Sequence, residues 1–431
     1  MAREFLMGLI GDIMRLADPY WAIGRCIEVR GGVVYICGKG FKAGNVAVIA
    51  IGKAASRSID AVVDKLNAPA LAVIPMGWPR PRARGVRVVE STHPLPSALS
   101  LKACEEVLNF LNQLREGDLA ILIATGGGSA LVECPRPPLT IEELAAVNDA
   151  MLKAGLTIRE VNIVRKHLSM FKGGWLAKTL EGRGVNVVGL YVSDVPGDDP
   201  SLIASGPTVA DPSTFRDAVE VLRVHGLWGR LPGRVMEVLE QGARGLIEET
   251  PKSVGAYNEV VLTNMDLLKG LKTILENEGY RALILTSRMS GEAREVGRFI
   301  ASIALDLRRL EGRSAILAGG EPTVTVRGLG KGGRTMELAA GFAMGLHGEC
   351  SGDEVSMLAI ATDGIDGNTD AAGAYADCST VSRARSMGLD AAEYLENNDT
   401  YSLFNALGDV VKTGPTGLQL NMVSVTLVRG N

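Results

Sequence analysis

The sequence is poor in the residues that metal and redox chemistry most often use. It has four histidines, and none stands near a cysteine pair at ligand spacing, which argues against a zinc site. The six cysteines are Cys26, Cys37, Cys104, Cys134, Cys350 and Cys378. They form no Cys-x-x-Cys pair and mostly sit in apolar surroundings, so the expectation is buried, reduced thiols in a cytoplasmic protein. A strong charge imbalance is also missing. A net charge of −4 argues against a nucleic-acid or other polyanion partner, so cation sites have to be local clusters. The apolar stretch near the N-terminus is short and followed by Asp12, which fits neither a signal peptide nor a membrane span. Phe5, Leu6, Leu9, Ile13 and Leu16 share a helical face, the pattern of an amphipathic helix packed on the body. Glutamine occurs only at positions 113, 241 and 419, a scarcity that fits a thermophilic source. Internal repeats and low-complexity tracts are absent.

What is present is length and alternation. A chain of 431 residues exceeds what one core usually supports, so two domains are expected. Short Val- and Ile-rich runs alternate with helical patterns: Val46–Ile51, Leu71–Pro75, Leu119–Ala124 and Val185–Val192, then Val260–Thr263, Ala282–Leu285, Ala315–Leu317 and Val355–Ile360. This βα alternation indicates an α/β fold with helices on both sheet faces. Pro322–Arg327 and Met422–Val428 read as antiparallel strands, so the second sheet is expected to be mixed. Thr140-Ile-Glu-Glu143 is a capping box that starts a helix ending at Gly155. The charged, glycine-containing stretch 241–253 is the best linker. It divides the chain into an N-terminal domain, 1–240, and a C-terminal domain, 254–431.

Loops at the C-terminal ends of strands carry the chemistry, the edge where open parallel sheets bind ligands. Thr362-Asp-Gly-Ile-Asp-Gly367 follows a strand and, with Asp370, gathers three carboxylates; Ser193-Asp-Val-Pro-Gly-Asp-Asp199 is a second such loop. Both suit an enzyme that handles anionic substrates with Mg2+. Asp370 is also a candidate cap of the turn after it. Gly126, Gly127, Gly128 and Ser129 follow a strand and lead into a helix, an arrangement for binding an anion on backbone N–H groups at a helix start. Lys53 stands at another strand end, in Ile51-Gly-Lys-Ala-Ala55, which lacks the residues of a Walker A loop. Arg165 and Lys166 fall in a basic run of the kind that is usually a solvated helix face, with neutralisation of phosphates or a substrate carboxylate as the alternative. Gly328–Glu337 is a glycine-rich loop with Lys331 and Arg334, suited to gripping a transferring phosphoryl group or to being a mobile turn. Cys37–Gly44 reads Gly-x-Gly-x-x-x-Gly ahead of a strand, which is a hairpin turn and not a dinucleotide fingerprint.

Taken in order, these motifs resemble the glycerate 2-kinase family, the MOFRL-containing kinases also labelled hydroxypyruvate reductases. The marks are Ile51-Gly-Lys-Ala-Ala55, Thr92-His-Pro94, Gly126–Leu131, Val164–Ser169 with Lys172-Gly-Gly174, Ser193–Pro200 and Ala204-Ser-Gly-Pro-Thr208. They continue with Gly319-Gly-Glu321, Gly332-Gly-Arg334, Thr362–Gly367 and Thr413-Gly-Pro-Thr-Gly417, so the resemblance spans nearly the whole chain. Thr335 and Met336 depart from the family's Asn-Gln at expected nucleotide or substrate contacts.

The resemblance implies two three-layer α/β/α domains, a Rossmann-like parallel sheet and a mixed sheet, with the active site in the interdomain cleft. It implies transfer of a phosphoryl group from ATP, with Mg2+, to the 2-hydroxyl of D-glycerate. The residues that match its catalytic lysine and arginine are Lys53 and Arg334. Gly126–Ser129 and Lys331 are then the candidates for nucleotide or phosphate, and His93, Arg165 and Lys166 for the glycerate carboxylate. Asp194 is a base or a metal ligand, with Asp363 and Asp366 as alternatives for Mg2+. The expected partners are small molecules, with neither nucleic acid nor membrane, and with room for a homodimer. The alternatives are an NAD(P)H-dependent hydroxypyruvate reductase and a non-catalytic sensor of the same fold.

Overall fold

The computed structural model describes residues 2–430. Two compact units emerge: Pro19–Leu262, and a second that joins the N-terminal segment through Asp18 to the chain from Thr263 onward. The expected linker does not separate them. It begins inside the helix Gly233–Ala243, and its later part is tied into the first unit: Asp211 N–H donates to Pro251 O, and Thr250 Oγ1 donates to Asp211.

The first unit opens with a small antiparallel sheet, β1 (Ile27–Arg30), β2 (Val33–Ile36) and β3 (Lys39–Lys42). Cys37 and Gly38, at φ 45° and 84°, form the two-residue turn between β2 and β3, so this glycine segment is the expected hairpin. The main sheet contains β4 (Val46–Ile51), β5 (Ala70–Pro75), β6 (Val86–Ser91), β7 (Leu119–Ala124), β8 (Asn186–Val192) and β9 (Tyr257–Leu262). Its order is β6-β5-β4-β7-β8-β9, every pair parallel. The runs β5 and β7 are buried along their whole length, as strands covered by helices on both faces must be. Strand order reverses between β4 and β7, which makes their C-terminal ends a topological switch point. The run expected to open the second sheet, Val260–Thr263, instead contributes to β9 and pairs with β8.

The second unit carries β10 (Arg281–Met289), β11 (Arg313–Gly320), β12 (Val355–Ala361), β13 (Gly373–Asp377), β14 (Val410–Val411) and β15 (Met422–Arg429). The order is β10-β11-β15-β12-β13-β14, and only β10 and β11 run parallel, which gives the mixed sheet expected. Pro322–Arg327 is not a strand: Pro322 has no N–H to donate, and the segment keeps a single bridge, Thr323 to Glu292. The helix Ala2–Ala17 buries Leu6, Leu9 and Ile13 in this unit. Leu16 fits where Gly270 has no side chain, and Phe5 stacks on Tyr280 at 5.8 Å.

The cysteines correct the sequence reading. All six are paired, as Cys26–Cys37, Cys104–Cys134 and Cys350–Cys378, with Cα separations of 4.4, 5.6 and 5.5 Å. Cys26 precedes β1 and Cys37 follows β2, so antiparallel pairing sets them opposite each other, with Cys37 N–H donating to Cys26 O. Folding creates this proximity, and a search for Cys-x-x-Cys is blind to it. Three disulfides fit either an oxidising compartment or an intracellular protein of a hyperthermophile.

Candidate active site

Four strand ends of the first unit bring the expected residues together. Lys53 follows β4, His93 follows β6, the triple glycine follows β7, and Asp194 follows β8. Each glycine makes room for a different neighbour. A Cβ on Gly126 would lie 1.8 Å from Asp194 Oδ2, and one on Gly128 would lie 2.7 Å from the Ala204 Cβ. One on Gly127, at φ 84°, would lie 3.1 Å from the His93 ring and 3.3 Å from Lys53 Cγ. The three glycines therefore let a lysine, a histidine and a carboxylate close around one turn. Lys53 N–H donates to Gly126 O at 2.9 Å, and the Lys53 ammonium lies 5.6 Å from the Trp78 ring centroid. Among the described residues, the N–H groups of Gly126, Gly127 and Ser129 make no hydrogen bond within the protein, which leaves these three donors of the turn without an internal acceptor. The helix expected after this loop is a single turn, Gly128–Leu131, too short to add an appreciable helix dipole to these amides.

The basic run divides. Arg165 Nε donates to Asn148 Oδ1, and its charge, with that of Lys53, is felt by His93. Desolvation by surrounding protein, followed by these two cations, lowers the His93 pKa to about 4, although the residue keeps an open side to solvent. His93 is thus a neutral hydrogen-bonding group at physiological pH. Lys166 faces elsewhere: its ammonium is buried 3.4 Å from Asp211 Oδ1.

In the second unit, three loops knit around the start of the helix Arg334–Leu346. Asp366 is buried and accepts from Thr335 N–H at 3.0 Å and Met336 N–H at 2.8 Å, which caps this helix from a distant loop. Burial pushes its carboxyl up to about 6 against these bonds and the nearby Arg334 charge. Asp363 is half-buried on an adjoining turn, where Ile365 N–H donates to Oδ1 and Thr416 N–H to its carbonyl. Asp370 does not cap the turn after it; it accepts from Lys412 and Tyr401. Thr335 and Met336 are fully buried, so the departure from the family pattern lies in the packing under the loop. Arg334 Nη1 donates to Glu321 Oε1, and Lys331 is exposed with its N–H held by Asp399 Oδ1. Among the described residues, no three His, Cys, Asp or Glu side chains form a metal-binding group.

Several supporting residues escaped the sequence reading. Trp78 carried a weak signal, an aromatic between Gly77 and Pro79 just past a strand. Glu321 stood in the family mark Gly319-Gly-Glu321 but was given no role, its partner Arg334 lying 13 residues away, and Asn398 gave no signal, its partner Arg327 lying 71 residues away.

The fold and these strand-end groups describe a kinase-like small-molecule enzyme. The chain belongs to the glycerate 2-kinase family. The domain of unknown function DUF4147 matches residues 6–240, and the MOFRL family matches residues 314–422. A glycerate 2-kinase of Pyrococcus horikoshii is 37% identical over 99% of this chain and 97% of its own length. A D-glycerate 2-kinase of Thermotoga maritima is 37% identical over 89% of this chain and 90% of its own. The crystal structure of a Thermotoga maritima glycerate kinase superposes with a TM-score of 0.85 at 32% identity, covering 99% of both chains.

Proposed function

We propose that this chain is a glycerate 2-kinase that transfers the terminal phosphoryl group of ATP to the 2-hydroxyl of D-glycerate. The observation that carries the reading is the convergence of Lys53, His93, Asp194 and the triple-glycine loop at the switch point of the parallel sheet. The full-length likeness to named glycerate 2-kinases supports it.

Phosphoryl transfer needs positioning and charge neutralisation more than covalent chemistry. Asp194 takes the 2-hydroxyl proton as the new O–P bond forms and the bond to the ADP oxygen breaks. Lys53 and Arg334 neutralise the transferring group, the N–H groups of Gly126–Ser129 hold an oxyanion, and Lys331 serves the nucleotide. Arg165 and neutral His93 hold the glycerate carboxylate. Lys166 is left to structure by its buried pairing with Asp211.

Mg2+ fits the donors present, since it takes one or two carboxylates and completes its shell with phosphate and water. Asp363, half-buried on its turn, is the carboxylate we assign to it in the second unit, because Asp366 is committed to two backbone N–H groups. When bound, the ion would neutralise phosphate charge. The hydroxypyruvate reductase alternative loses its only glycine-rich candidate, because residues 37–44 form a hairpin and a strand. Among the described residues no helix is long and apolar enough to cross a membrane, and we place the enzyme in the cytoplasm. The test is a product-resolved assay with ATP, Mg2+ and D-glycerate. Formation of 2-phosphoglycerate is expected, with loss of most kcat in Lys53→Ala and Arg334→Ala variants that remain folded.

A further inference from the structure

Ala204, Ser205 and Gly206 adopt three successive left-handed conformations, at φ 50°, 60° and 60°, and only the last is glycine. Non-glycine residues visit this region singly, and two in a row persist only where the surroundings hold them. Here the surroundings do. Gly173 N–H donates to Ser205 O at 2.9 Å, and Gly174 N–H donates to Gly206 O at 2.8 Å. Lys172, just before them, is buried in an ion pair with Glu133, four residues past Ser129. The segments behind the turn and behind the triple-glycine loop are thereby fastened to each other.

The turn delivers one contact to the site. Ser205 Oγ lies 2.8 Å from Ser129 Oγ. Ser205 is fully buried, whereas Ser129 is partly exposed at the mouth of the triple-glycine loop. Among the described residues the Ser205 hydroxyl makes no other hydrogen bond. A buried O–H needs an acceptor, and Ser129 Oγ is the one within reach. With that lone pair occupied, Ser129 has its own proton to donate outward.

We propose that Ser205 is a positioning residue for the oxyanion site: its hydroxyl donates to Ser129 Oγ and so fixes Ser129 as a donor to a ligand oxyanion. The reverse polarity would turn an oxygen lone pair toward an anion. The identity of the oxyanion, the glycerate carboxylate or a phosphate, rests on the kinase reading; the hydroxyl relay does not.

The test is a double-mutant cycle on the full chain with Ser129→Ala, Ser205→Ala and both, read by calorimetry with D-glycerate, inorganic phosphate and ATP as separate probes. Ser205→Ala is expected to weaken at least one probe about tenfold. The same change in the Ser129→Ala background should add nothing. Weakening of D-glycerate alone assigns the carboxylate, and weakening of phosphate or ATP assigns a phosphate. Ser205→Gly should bind as weakly as Ser205→Ala yet melt about 1–3 °C higher, because glycine accepts the left-handed conformation without strain. Unchanged affinity for every probe in Ser205→Ala, a full-sized loss in the Ser129→Ala background, or a wild type that binds none of the three would overturn the proposal. Failure of the kinase reading shows separately, as absence of 2-phosphoglycerate from a wild type that still binds.

Discussion

Glu321 Oε1 accepts a hydrogen bond from Arg334 Nη1 at 2.5 Å, joining the end of β11 to the first residue of the helix Arg334–Leu346. Both side chains are substantially exposed, so the pair contributes little to stability, about 0–1 kcal/mol. Its consequence is to aim the guanidinium. Glu321→Ala is therefore expected to melt within about 2 °C of wild type while kcat falls about tenfold, against about a thousandfold for Arg334→Ala. Steady-state kinetics beside thermal melts check this; a Glu321→Ala enzyme with unchanged kcat would remove the aiming role.

Asn398 holds the glycine-rich loop by its side chain. Its Oδ1 accepts from Arg327 N–H at 2.7 Å and Gly328 N–H at 3.0 Å, and its Nδ2 donates to Glu337 Oε1 at 2.5 Å. Asn398→Ala would strand these groups beneath the loop and should cost about 2–4 kcal/mol. Since Asn398 sits at φ 55°, Asn398→Gly removes the side chain without backbone strain and should show that the loss comes from the side chain. Urea unfolding gives the size. Limited proteolysis should show new cleavage within 327–332, and a protease-resistant loop would contradict the clamp.

His93 sets a pH signature. Its folded pKa is about 4, below the ordinary imidazole value near 6.5. Between these values the unfolded state binds the extra proton, so stability rises with pH through this window and is lost as pH falls from about 6.5 to 4. Proton NMR of the imidazoles should show one histidine with a midpoint near 4, absent in His93→Gln. A His93 midpoint between 6 and 7 would contradict the desolvation of its ring and, after that, the placement of Lys53 and Arg165 beside it.

The cysteines give a direct count. Unreduced, denatured protein should show no reactive thiol, and reduced protein should show six. The loop closed by Cys104–Cys134 spans 30 residues of sequence, so its removal by Cys104→Ser with Cys134→Ser should cost about 3–4 kcal/mol. Six thiols without reductant would show that the pairs do not form.

The first unit was largely legible in the sequence because local signals make it. The Val-rich runs, the Thr140–Glu143 box and the glycine loops each announce themselves within a few residues. Lys53, Gly126–Ser129 and Asp194 could be chosen because their position at strand ends is a consequence of chain order, whereas His93 came from the family resemblance alone, since the strand before it, Val86–Ser91, was not among the expected runs. What stayed hidden depends on distance along the chain. Asp366 reads as one more loop carboxylate until Thr335 and Met336 arrive above it. Lys166 and Arg165 are adjacent in sequence, yet a helix turns neighbours to different faces, and only Arg165 comes to the histidine. Cysteine pairing and the place of β9 in the first sheet failed for the same reason: both are settled by partners the local pattern does not contain.

The role proposed for Lys53 is to serve transfer of a phosphoryl group to the 2-hydroxyl of D-glycerate. A coupled assay with ATP, Mg2+ and D-glycerate, resolving 2- from 3-phosphoglycerate, tests it most directly. Wild type is expected to form 2-phosphoglycerate, and a folded Lys53→Ala variant to lose about a thousandfold in kcat. Formation of 3-phosphoglycerate, no phosphorylated product, or a Lys53→Ala enzyme with near-normal kcat would contradict it.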